Sequence, residues 1–127
     1  MTQIARALRD FFGGFGLPAY PEGGVPVDAD GDCPASRMPY ITYEVVAPAF
    51  GETMSLQARV YAWSSGYGEV LAAAGEIAER VGSGVLLPAG PGSVCLRQGS
   101  PLVQLAPSEE RLLKTACVNL LISGYTG

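Results

Sequence analysis

The sequence predicts an α+β fold, a mainly antiparallel sheet flanked by helices in the order α-β-β-α-β-β-β. Three features of the 127 residues carry that expectation. Met54, Leu56, Ala58, Val60 and Ala62 alternate with Ser55, Gln57, Arg59, Tyr61 and Trp63, the period-two pattern of a strand packed on one side. Tyr67, Val70, Leu71, Ala74, Ile77, Ala78 and Val81 recur at helical spacing. The stretch from Arg111 onward is apolar on both faces, as a central or interface strand would be.

Taken in order, residues 2–12 predict a short amphipathic helix. Thr2 is placed to cap it, and Ile4, Leu8, Phe11 and Phe12 form its apolar face. Gly13, Gly14 and Gly16 should stop it, because glycine tolerates the left-handed backbone of a helix end. Residues 17–39, rich in Pro, Gly and Asp, are expected to form an irregular arm. PYITYEVVAP then reads as a strand bordered by Pro39 and Pro48. The turn APAFGE joins it in an antiparallel hairpin to the alternating strand. Residues 65–82 predict the main helix, capped by Ser65, with Glu69 in the first turn, Arg80 in the last and Gly82 as its stop. Glu69, Glu76, Glu79 and Arg80 lie on its polar face. GVLLPAG and SVCLRQG read as short strands or one loose hairpin, PLVQLA as another short strand, and RLLKTACVNLLISGY as the last. In that last strand Leu112, Lys114, Ala116, Val118, Leu120 and Ile122 share one face. No internal repeat is visible, and residues 1–127 are expected to be a single domain.

Composition narrows the function. Charged residues make up 16% of the chain against a usual share of about 25%, while 48% are hydrophobic. A small domain with so few charges should leave apolar surface for another protein. Eight basic residues against twelve acidic ones leave a net charge of −4. Only one of the eight is a lysine and the arginines are scattered, so no basic face is expected to hold nucleic acid. Cys33, Cys95 and Cys117 are odd in number and widely spaced, which argues against a disulfide framework and for a reducing compartment. Cys117 reads as a small core residue. The N-terminal MTQIARALRD is not a signal peptide, and no apolar run is long enough to span a membrane.

No catalytic constellation stands out. The chain has no histidine, which removes the commonest general base and metal ligand. Neither a phosphate-binding P-loop nor a GxGxxG motif is present. Asp28, Asp30 and Asp32 alternate as a calcium loop begins, but Cys33 and Pro39 stand where that loop needs Gly and Glu. A solvated acidic turn is the expectation there, with no metal and no cofactor. The residues marked for interaction are Phe50, at the hairpin turn, Arg59 and Trp63, on one strand face, and Arg97, since aromatics beside arginine are enriched at binding hot spots. Tyr61 is expected to pack under the main helix or the arm. The two irregular segments, 17–39 and 48–53, lack the periodicity that would bury them and are expected to order only against neighbours.

An N-terminal helix, a Pro/Gly arm, "PYITYEVVAPAFGE", "SLQARVYAWSSGYGEV", an Ala-rich helix ending before "GVLLP", and a closing "KTACVNLLISGY" together resemble the small tail-terminator proteins of long-tailed bacteriophages. These are also called tail-completion or minor capsid proteins. The likeness covers most of residues 1–127, anchored on RVYAWSSGYGEVLAAAGEIAERV. The resemblance implies an α+β subunit of a homo-hexameric ring that caps the tail tube, halts its polymerisation and joins tail to head. It implies contacts with the major tail tube protein and a head–tail connector protein, and DNA passing through the lumen without specific binding. It carries no catalytic residues, no cofactor and no membrane, and it places the chain in the virion and, during assembly, the host cytoplasm. Two other readings are open: a neck or head-completion subunit, and a monomeric module that binds a peptide or ligand at a sheet edge.

Overall fold

The computed structural model describes residues 2–22, 24, 39–49, 51–106 and 111–126. The chain runs helix, three strands, helix, three strands. These are α1 (Thr2–Phe12), a 3-10 turn (Gly13–Phe15), β1 (Ala19–Pro21), β2 (Tyr40–Tyr43), β3 (Thr53–Trp63), α2 (Gly68–Val81), β4 (Val85–Ala89), β5 (Gly92–Ala106) and β6 (Leu113–Thr126). One six-stranded sheet has the order β1-β2-β3-β6-β5-β4, antiparallel except where β1 pairs with β2. The α+β class and the mainly antiparallel sheet are as expected, and the strand order differs in detail.

Leu56, Ala58, Val60 and Ala62 of β3 meet Leu120, Val118, Ala116 and the Lys114 position of β6 across the ladder. The seven apolar members are buried and form the floor of the core. Both helices cover that floor: Val70, Ala74, Ile77 and Val81 come down from α2, and Leu8, Phe11 and Phe12 from α1. Phe12 stacks on Tyr43 of β2 with centroids 4.8 Å apart, a contact worth roughly 1 kcal/mol beyond its area. Helix α1 packs against both edge strands, β1 and β4, so the sheet curls around the helix layer and both edges are partly shielded from strand addition. Strand β6 lies between β3 and β5, at the centre of the sheet.

Several local expectations are corrected. Ala19–Pro21, inside the segment expected to be irregular, forms β1, anchored where Ile41 N–H donates to the Pro18 carbonyl (2.8 Å) and Glu22 N–H to the Tyr43 carbonyl (2.8 Å). The strand read across residues 39–48 ends at Tyr43. There the Glu44 carboxylate accepts the Gln57 N–H at 2.6 Å, taking the place of the Glu44 carbonyl in the ladder. PLVQLA is no separate strand. It continues β5 past a bulge at residues 99–102, opposite Asn119 alone. Helix α2 starts at Gly68 behind Tyr67, and Ser65 does not cap it; the upstream Ser64 hydroxyl instead accepts the Gly66 N–H in a local turn. Tyr67 and Leu71, placed in the buried stripe by spacing, stand 36% and 43% exposed on its flank. The stop at Gly82 is as read, its N–H donating to the Ala78 carbonyl. The turn before β3 is tied down more firmly than its composition suggested. Glu52 N–H donates to the Ala49 carbonyl, Gly51 N–H donates to the Gly124 carbonyl, and Pro48 is buried.

Candidate functional site: the open face of the sheet

Because side chains alternate along a strand, everything opposite the core floor points to the other face of the sheet. Among the described residues no helix covers that face. Register places its side chains in rows across the strands. Thr53, Ser123, Cys95 and Leu86 form one row, and Ser55, Leu121 and Arg97 the next. Gln57 and Asn119 follow, then Arg59, Cys117 and Gln104, then Tyr61 and Thr115, and finally Trp63 and Leu113.

Of the residues the sequence marked, Arg59, Trp63 and Arg97 all lie on this face, while Phe50 lies outside the described residues. They do not form one cluster. Arg59 and Trp63 are four residues apart on β3, roughly 13 Å along the strand. Arg97 shares the Leu121–Ser55 row, two strands away and eight residues along from Trp63, roughly 27 Å in the strand direction. Trp63 is 44% exposed. Arg59 donates from Nε to the Gln57 side-chain oxygen at 2.8 Å. The neighbouring Tyr61 hydroxyl raises its pKa above the ordinary guanidinium value, with burial acting against that shift. Arg97 donates to the Ser123 hydroxyl at 3.2 Å, and that hydroxyl also bonds Thr53 at 2.8 Å. Both arginines are therefore tied to neighbouring side chains on the same face.

Tyr61 does not pack beneath α2. Its ring lies 5.2 Å from Tyr40, and Tyr40 lies 6.0 Å from Tyr20, giving an aromatic row on the open face. Cys117, read as core, is buried at 6% exposure but on this face, opposite Arg59. Cys33 and the Asp28–Asp32 string lie outside the described residues. Among the described residues no three His, Cys, Asp or Glu side chains converge to hold a metal.

Two features were missed by sequence reasoning. The bulge in β5 overhangs a groove of about 390 Å³ lined by Glu44, Ser55, Gln57, Ser100, Gln104 and Asn119. Its amides are already paired: Gln57 donates to the Asn119 oxygen (3.0 Å), and the Asn119 amide donates to the Pro101 carbonyl (2.7 Å) and the Gln104 oxygen (3.0 Å). The network fixes the bulge over the groove. A second groove, also about 390 Å³, lies on the helix side between α1 and β1–β2, with Ala19, Pro21, Tyr43 and Val45 as its floor and Arg6 and Arg9 at its rim. Burial raises the Tyr43 pKa above the tyrosine value of 10.0, with Arg9 acting against the shift and Asp10 with it. The Arg6/Arg9 pair was the available signal for it, but it carries no motif. No protein-family model matches the chain, and no curated protein matches it.

Proposed function

We propose that this chain is a structural virion protein, a ring-forming tail terminator that caps the tail tube, stops its growth and offers the surface that joins tail to head. The observation that carries the reading is the one-sided sheet. Helices cover one face, and the other holds Trp63, Leu86 and Tyr125 at 44%, 66% and 45% exposure, beside Arg59 and Arg97. Large apolar side chains spread over an open face in a chain with so few charges fit a protein that is completed by neighbours. The sequence likeness to tail terminators supplies the kind of neighbour: copies of itself, the major tail tube protein and a head–tail connector protein.

The experiment is negative-stain electron microscopy of the purified chain, alone and with tail tubes. Closed rings, and rings seated at one end of the tubes, are the expected result. Particles no larger than one subunit and tubes with bare ends would refute it. A neck or head-completion subunit would give rings that bind the portal side and ignore tubes. The amide-lined groove under the β5 bulge favours a second reading, a monomeric ligand-binding module. That reading requires a subunit that stays monomeric while a ligand shifts the Asn119 and Gln104 side-chain amide resonances.

A further inference from the structure

The exposed side of α2 is built unlike an ordinary solvated helix. Glu69, Glu76 and Glu79 stand on it, and none has a hydrogen bond or ion pair among the described residues. Between the carboxylates lie Ala72 and Gly75, also exposed. A Cβ added at Gly75 would meet nothing within 4 Å among the described residues, so no packing among them calls for glycine in mid-helix. The result is a low strip flanked by negative charge.

The groove beside α1 has the opposite character. Its floor is apolar, and Arg6 and Arg9 rise at its rim. Arg6 has no partner among the described residues, and Arg9 has only an exposed contact of 3.6 Å with Asp10. Arg59, Arg80 and Arg97, by contrast, all donate to acceptors within the subunit. Arg6 and Arg9 are spaced i, i+3 on one helix and Glu76 and Glu79 are spaced i, i+3 on the other, so both pairs have a rise of about 4.5 Å. In a chain of net charge −4, a groove rimmed by this arginine pair favours a carboxylate-bearing ridge.

We infer that the Glu76/Glu79 ridge of α2 docks in the Arg6/Arg9 groove of a second copy of this chain, making the contact that repeats around the ring. Ridge and groove belong to different elements, so the contact is head-to-tail and each subunit offers one of each, as ring closure needs. Ala72 and Gly75 let the backbone of α2 approach the groove floor. This inference rests on the ring reading above and names the surfaces that build it.

The test is a charge swap read by size-exclusion chromatography with light scattering. Arg6→Glu/Arg9→Glu and Glu76→Arg/Glu79→Arg each place like charges across the contact. Each should raise the apparent subunit dissociation constant at least about tenfold and remove the ring peak. Mixing the two variants, or combining all four changes in one chain, should restore it, since opposite charges then face each other at every contact. Restoration also shows that the single-surface variants were folded. Rings that persist in both double variants, or a mixture and a fourfold variant that both stay monomeric, overturn the inference while the ring reading stands. Double variants that keep their rings but no longer bind tail tubes also overturn it, by assigning the groove to another protein. Wild-type chain that stays monomeric at every concentration sinks the ring reading itself.

Discussion

Two glycines allow the same chemical change to be made with opposite expected signs. Gly99 opens the β5 bulge, and a Cβ built on it would lie 2.8 Å from the Asn119 carbonyl oxygen and 3.1 Å from its carbon. Those atoms are backbone of β6, which is hydrogen-bonded on both sides, so they cannot swing aside as a side-chain tip would. Gly99 is not among the positive-φ glycines, so the cost of Gly99→Ala is steric, about 1–3 kcal/mol as in other overpacked sites. Gly75 lies in the interior of α2, with nothing among the described residues within 4 Å of an added Cβ, and is likewise outside the positive-φ set. Gly75→Ala should stabilise the isolated subunit by about 0.5–1 kcal/mol through helix propensity alone. Urea unfolding at concentrations where the chain is monomeric measures both. The two variants should fall on opposite sides of wild type, about 1.5–4 kcal/mol apart. Gly99→Ala within 0.5 kcal/mol of wild type would show that the bulge is not pressed against Asn119, and the account of the β5–β6 register would fail with it.

Other outcomes follow from the same packing. Ile77 is fully buried beneath α2, so Ile77→Asp strands a charge in the core and should cost at least about 3 kcal/mol, read as loss of the cooperative melt. Trp63→Ala, on the open face, should change stability by less than about 1 kcal/mol while weakening attachment to tail tubes, measured by co-sedimentation. Burial penalises the tyrosinate form of Tyr43, so its folded pKa lies above 10.0. The stability it contributes is intact below that pH and is lost as pH rises through the folded value, and Tyr43→Phe should flatten the alkaline limb of a stability–pH curve. Calcium should leave the melting temperature unchanged, whereas a specific site filled to 100 times its dissociation constant would add about 2.7 kcal/mol.

The elements written most plainly in the sequence were those whose periodicity has a single physical cause. The alternation of β3 from Leu56 to Ala62 and the Val70, Ala74, Ile77, Val81 stripe of α2 both arise from burial on one side and pack as their spacing implies, whereas Met54, placed on the same face, lies beyond the helix layer and is exposed. The two apolar faces of β6 pointed to a central strand, which it is. What stayed hidden depended on partners distant in sequence. Strand β1 is three residues long and exists through its ladder to Ile41 and Tyr43, a contact that no local propensity encodes. The merging of PLVQLA into β5 depends on Asn119, eighteen residues beyond Pro101, holding the bulge. Tyr67 and Leu71 fit the apolar period yet fall at its margin, because a stripe is wider in sequence than the strip of sheet it covers. For the candidate site, the strand face of Arg59 and Trp63 was legible from alternation. Its separation from Arg97 was not, because that follows from the register of two further strands.

The proposed role, ending a growing tail tube, is read out in the length of the tubes. Tube protein polymerised with increasing amounts of the chain should give tubes that stop growing, each with a ring at one end. Trp63→Ala should lower the fraction capped without unfolding the subunit. Electron-microscopic length distributions that are the same with and without the chain, and tube ends that remain bare at saturating concentration, would contradict the account.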